Sequence, residues 1–140
     1  MIFESFGQED TEMFGHNLGE QAVAGQVYCL VGDLGAGKTA FVRGFARGLG
    51  IDDHITSPTF SIVNEYAGRM SLYHFDVYRI EHVADMEDTG YEEYFYGNGV
   101  TLVEWADMIE ELLPTDGVVV HIDRDATRGE DFRRIVVEGL

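Results

Sequence analysis

Apolar positions along the 140-residue chain alternate between helical spacing and short continuous runs, and the changes between the two mark its elements. Met13, Phe14, Leu18 and Ala22 recur at helical spacing and predict a first helix, capped by Asp10, running to about Ala24 and stopped by Gly25. Gln26–Val31 (QVYCLV) is a short apolar run of the kind that forms a buried strand. A glycine-rich stretch follows. From Thr39, residues Phe41, Val42, Phe45, Ala46 and Leu49 return to helical spacing until Gly50. The aromatic and β-branched segments Phe60–Tyr66 and Met70–Arg79 flank Ala67–Gly68–Arg69 as a β-hairpin. Glu81–Tyr96 reads as broadly helical, broken at Thr89–Gly90, with Tyr91, Tyr94 and Phe95 as its packing face. Val100–Trp105 is a further core strand and Ala106–Leu113 a short helix ended by Pro114. Val118–Asp123 and Phe132–Val137 form a second hairpin. The sum is a single α/β domain over residues 1–140 with a mixed parallel and antiparallel sheet.

The glycine stretch carries the clearest chemistry. Gly32–Thr39, GDLGAGKT, meets the pattern G-x-x-x-x-G-K-[ST] in full, with a strand before it and a helix after it. Glycines let the backbone close around a polyphosphate, so that amide N–H groups and the N-terminus of the next helix face negative oxygens. The binding segment expected on this basis comprises Gly32, Asp33, Leu34, Gly35, Ala36, Gly37, Lys38, Thr39 and Ala40, with the Lys38 ammonium on the β and γ phosphates and the Thr39 hydroxyl on Mg²⁺. The fold class becomes a three-layer, P-loop NTPase-like α/β fold, and the cofactors are ATP or ADP with Mg²⁺. A chance match in a chain of this length is on the order of one in a few hundred.

Composition narrows the function. Twenty-six acidic against nine basic side chains give a formal charge of −17, which repels nucleic-acid backbones and argues against direct binding to them. The same acidity fits either a solubility adaptation or the steering of a basic partner. Lys38 is the sole lysine, all other basic side chains but histidine being arginine, so a guanine-reading N-K-x-D segment cannot exist and a regulatory GTPase is excluded. One cysteine, Cys29, offers neither a disulfide framework nor a metal site. The absence of a basic-plus-apolar leader or of a run of about 18 apolar residues predicts a cytoplasmic protein without a membrane span.

Hydrolysis needs an acid near magnesium and a group that orients water. Glu104, at the end of the apolar LVE segment, and Asp76, at the end of YHFD, are the two candidates, and each also fits the role of an ordinary strand-end acid. Thr59, in a turn stiffened by Pro58, suits a γ-phosphate contact or a simple turn. Trp105 fits the core or a wall of the nucleotide pocket. His74, between aromatic neighbours, reads as a satisfied packing histidine. Arg133 and Arg134 read first as balance for nearby acids, with phosphate or an RNA-bearing partner as the other possibility. A small-molecule kinase, which would need an acceptor pocket and an arginine-bearing lid, and a nucleotide-dependent clamp are the rival functions.

GDLGAGKT, SPTF at Ser57–Phe60, HFDVYR at His74–Arg79 and VEW at Val103–Trp105, in that order, resemble the TsaE (YjeE) family, from about Thr11 to the Arg133 region. The resemblance implies a small ATPase, slow alone, that acts in threonylcarbamoyladenosine modification of tRNA with the TsaD and TsaB proteins. In that family TsaD transfers the group, the tRNA is met only through the complex, and ATP hydrolysis resets it between turnovers. Carried over by residue, the resemblance implies that Lys38 grips phosphate, that Thr39 and Glu104 hold magnesium, that Asp76 supports hydrolysis, and that Trp105 and Thr11 lie beside the nucleotide.

Overall fold

The computed structural model describes residues 1–32, 36–58 and 62–140. Its elements run β1 (Ile2–Ser5), α1 (Gln8–Gln21), β2 (Val27–Val31), α2 (Lys38–Gly48), β3 (Val63–Ala67), β4 (Ser71–Asp76), a 3₁₀ segment (Val83–Thr89), α3 (Tyr91–Phe95), β5 (Val100–Glu104), a 3₁₀ segment kinked at Ile109 (Ala106–Leu112), β6 (Val118–Arg124), a 3₁₀ turn (Ala126–Arg128) and β7 (Arg133–Glu138). One seven-stranded sheet has the order β1-β7-β6-β2-β5-β4-β3. The four inner strands β6, β2, β5 and β4 are parallel, and antiparallel pairs close both edges. The mixed sheet expected from the sequence is the one observed.

The strand period of two sorts side chains between the faces. On β2, Tyr28 and Leu30 join the core that contains Phe14 of α1, Phe41 and Phe45 of α2, and Leu49 at the end of α2. Val27 and Cys29 point the other way, to Phe75, Met86, Phe95, Val103 and Ile109. The sheet is thus a middle layer between the α1–α2 pair and the short helical segments. Burial of Cys29 pushes its thiol up to about 11, so it is a small apolar packing group.

The two long helices meet through glycines. A Cβ on Gly15 or Gly19 of α1 would overlap the Phe41 or Phe45 carbonyl, and one on Gly44 or Gly48 of α2 would overlap the Glu12 or His16 carbonyl. Only residues without a side chain let the backbones approach this closely. An ion pair between Arg47 and Glu12 bridges the same pair of helices at the surface.

Several boundaries differ from expectation. The helix begins at Gln8 behind the N-cap Gly7, and Asp10 occupies the third helical position, where its Oδ2 accepts a hydrogen bond from the Phe6 amide at 2.9 Å. An acid in the first turn of a helix resembles an N-cap in a sequence, but here it ties back to the amide of the residue before the N-cap and does not cap the helix itself. The helix also ends at Gln21, and Met13, assigned to its apolar face, is exposed. β1 carries no alternating pattern, since its apolar residues Ile2 and Phe3 are adjacent, and it forms by pairing with β7. The region expected to be helical from Glu81 to Tyr96 resolves into a 3₁₀ segment and the five-residue α3, divided at Gly90 with φ 70°.

Candidate functional site

Parallel β4 and β5 pair in a register that sets Asp76 directly beside Glu104, and β5 pairs with β2 so that Glu104 neighbours Leu30. The carboxyl ends of these strands open into a cleft of about 450 Å³ that also receives the N-terminus of α2. Clefts at this edge of a parallel sheet are the usual ligand sites of open α/β folds.

Gly37 caps α2 in the left-handed region, φ 98°, a conformation that favours glycine. Lys38 then starts the helix and is buried, with Nζ donating to the Gly32 carbonyl at 2.7 Å and lying 3.3 Å from the centroid of the Trp105 ring. Trp105 is the non-glycine residue with positive φ, 60°, among the described residues, and Tyr78 packs against it at 4.7 Å between ring centroids. Thr39 and Ala40 line the cleft beside Lys38. Gly32 ends β2 within reach of β6, since a Cβ there would overlap the Ile122 carbonyl.

The two acids differ in their surroundings. Glu104 is buried, and its Oε2 lies 2.6 Å from His74 Nε2. Asp76 is half-exposed and accepts from the Tyr78 amide at 3.0 Å. Burial raises the Asp76 carboxyl above its ordinary value, and the neighbouring Glu104 charge adds to this. The Tyr78 amide, His74 and Lys38 oppose it.

Thr11, Lys38, Thr39, Ala40, Asp76, Glu104 and Trp105 all border this one cleft, as does Gly37. Thr11 reaches it from α1, held by Ser5 Oγ at 2.7 Å. Asp33, Leu34, Gly35 and Thr59 lie outside the described residues. Ala36 is fully buried, and its carbonyl accepts from Arg133 Nε at 2.9 Å. Arg133 therefore lies at the cleft wall and braces the glycine loop from β7, where the sequence reading favoured charge balance. Arg134 does pair with an acid, Asp125, at 3.8 Å. Ser57 lines the cleft as the first residue of SPTF, and Gln8, Arg43 and Asp131 line it with no role assigned to them from the sequence. Of those three, Arg43 alone carried a signal, one helical turn beyond Thr39 on the same face. His74 is buried, as a packing histidine would be, and one of its ring nitrogens is bonded to the site acid.

The donor set suits a polyphosphate with a hard cation: an ammonium at a helix N-terminus, a hydroxyl beside it, and two carboxylates whose mutual repulsion a cation relieves. Among the described residues no group of three or more His, Cys, Asp or Glu side chains is placed to hold a metal alone. A cation here would share its coordination with ligand oxygens, as Mg²⁺ commonly does.

The family model described as "Threonylcarbamoyl adenosine biosynthesis protein TsaE" matches residues 6–135. The chain belongs to the TsaE family. The tRNA threonylcarbamoyladenosine biosynthesis protein TsaE of Bacillus subtilis strain 168 is 49% identical over 128 residues, 91% of this chain and 78% of that one. The protein of the same name from Treponema pallidum is 44% identical over 114 residues, 81% and 84% of the two chains. The crystal structure of Bacillus subtilis YdiB superposes with a TM-score of 0.79 at 43% identity, covering 96% of this chain and 82% of that one. The TsaE-type α/β fold is therefore shared, and the family role is tRNA threonylcarbamoyladenosine biosynthesis. Among the described residues no helix is long and apolar enough to cross a membrane.

Proposed function

We propose that this chain is a Mg²⁺-dependent, cytoplasmic ATPase subunit that acts with a TsaD–TsaB pair in tRNA threonylcarbamoyladenosine modification and meets tRNA only through that complex. The observation that carries the reading is the convergence of Lys38, Thr39, Asp76 and Glu104, from α2, β4 and β5, on a single cleft. Lys38 binds and neutralises the β and γ phosphate oxygens, giving up the weaker contacts it makes with the Gly32 carbonyl and the Trp105 ring. Backbone amides at the start of α2 orient the polyphosphate, and Trp105 and Thr11 flank the nucleotide. Thr39 and Glu104 would hold magnesium, which when bound supplies charge stabilisation on the phosphoryl oxygens. Asp76, with its raised proton affinity, orients the attacking water and accepts its proton. Thr59, directly after Pro58, brings its hydroxyl to the γ-phosphate as switch-loop threonines do. The strongly acidic surface leaves the handling of RNA to partners.

The test is ATP hydrolysis by the purified protein at fixed magnesium, with and without its TsaD–TsaB pair, alongside nucleotide titrations read by fluorescence of Trp105, the sole tryptophan. Marked stimulation is expected. Lys38→Ala should abolish turnover and suppress the fluorescence response. Phosphate passing to a small-molecule acceptor, without stimulation by the pair, would move the function to a kinase.

A further inference from the structure

Two observations about His74 belong together. Its Nε2 lies 2.6 Å from Glu104 Oε2, with both side chains almost wholly buried. Its Nδ1 is enclosed and has no hydrogen-bond partner among the described residues. In a neutral imidazole one nitrogen donates and the other accepts. Placing the proton on Nδ1 would leave a buried N–H unsatisfied and set a bare ring nitrogen against a carboxylate oxygen. Placing it on Nε2 makes a short charge-assisted bond and leaves a single acceptor unpaired in place of an unsatisfied donor and an opposed pair of acceptors. We infer that His74 is a positioning residue, fixed as the Nε2–H tautomer, which engages Glu104 Oε2 and leaves Oε1 as the oxygen Glu104 offers to the cleft.

The sheet makes this arrangement possible. Parallel pairing aligns His74 with Leu102 and Asp76 with Glu104, so the imidazole lies one pleat below the carboxylate it holds. A glutamate has three rotatable bonds, and burial alone does not choose among its rotamers. The imidazole does, and by occupying a lone pair of Oε2 it favours engagement of a cation through Oε1. The geometry thus deepens the proposed function by specifying how Glu104 serves magnesium, and that part rests on the proposed function. The tautomer assignment does not.

The test has two arms. In ligand-free protein, ¹⁵N–¹H correlation through the imidazole ring should show His74 as Nε2–H with a strongly downfield proton; an Nδ1–H tautomer would overturn the inference whatever ligand the cleft takes. In the second arm, nucleotide affinity is measured with and without Mg²⁺ by Trp105 fluorescence. His74→Gln keeps a terminal N–H donor at similar reach and should retain most of the Mg²⁺-dependent gain in affinity. His74→Phe keeps the bulk without the donor and should lose about tenfold of that gain while Mg²⁺-free affinity stays unchanged. Equal Mg²⁺ dependence in His74→Phe and the parent would overturn the positioning role. If His74→Phe does not fold, loss of the Mg²⁺-dependent gain in folded His74→Gln would overturn it instead. A parent protein without any Mg²⁺-dependent gain would instead count against the proposed function, leaving the tautomer to be decided by the first arm.

Discussion

Gly44→Ala tests whether the α1–α2 contact is as tight as the backbone distances require. A methyl at Gly44 would overlap the Glu12 carbonyl oxygen and would lie 2.7 Å from its carbon and 3.0 Å from the His16 nitrogen. These atoms belong to a helix backbone and cannot rotate away, so α1 must retreat by roughly 1.5–2 Å to restore ordinary separations of about 3.5–4.0 Å. Overpacking of this kind costs about 1–3 kcal/mol. Replacing glycine inside a helix returns about 1 kcal/mol of intrinsic propensity. Because the conflict is between two helix backbones the packing term lies at the upper end of that range, about 2–3 kcal/mol, leaving a net loss of about 1–2 kcal/mol and a fall in Tm of about 3–8 °C for a domain of this size. Thermal and urea denaturation of the ligand-free protein would measure it. Asn17→Ala, at an exposed position of the same helix pair, supplies the propensity gain alone and should raise stability by a few tenths of a kcal/mol. A Gly44→Ala protein melting at or above the parent would refute the argument.

Asp76→Asn should stabilise the free protein near neutral pH while slowing hydrolysis. The folded carboxyl is raised above 3.8, so the native state binds more protons than the unfolded one, and stability falls as pH rises from 3.8 through the folded pKa. The gain from Asn should therefore be full above that window and vanish below it, as denaturation midpoints across pH would show. Arg133→Met removes the Nε donor to the Ala36 carbonyl and should weaken nucleotide binding about tenfold, the loss of roughly 1.4 kcal/mol. Arg133→Lys should fail to restore it, because an ammonium cannot serve the Ala36, Glu130 and Phe132 carbonyls with one planar group. Nucleotide titration followed by Trp105 fluorescence separates the two variants.

What was legible in the sequence follows how local the determining physics is. The glycine loop and its helix are encoded by consecutive residues, so Gly37, Lys38 and Thr39 could be read directly. Glu104 and Asp76 were legible as strand ends, but their adjacency depends on the β4–β5 register, which no local pattern contains. Arg133 lies 97 residues from the carbonyl it braces, and at that separation charge balance was the more economical reading. The His74–Glu104 bond spans 30 residues and was hidden for the same reason. β1 lacked an internal signal because an edge strand of four residues takes its structure from its neighbour. The α1–α2 contact left a trace in the paired glycines at Gly15, Gly19, Gly44 and Gly48, yet single glycines in a helical pattern read as tolerated defects until two helices are known to meet.

The molecule divides its stability unevenly, and the division makes a contrast that one set of variants can expose. The α1–α2–sheet core is one contiguous cluster of buried apolar side chains, whereas the ends of β4 and β5 concentrate unfavourable features. There the buried Glu104 neighbours Asp76 with its raised carboxyl, and Trp105 holds a left-handed backbone. Such features persist because the surrounding elements determine them, and a polyphosphate with its cation would neutralise the charges that make them unfavourable. Neutralising a cleft acid should therefore raise the stability of the free protein while lowering the further stabilisation that Mg²⁺–nucleotide confers. Disturbing the glycine contact should do the reverse, lowering the stability of the free protein while leaving most of the ligand-induced gain. Parallel falls in both quantities for Asp76→Asn would mean that the cleft is ordinary core, with no stability given up for function.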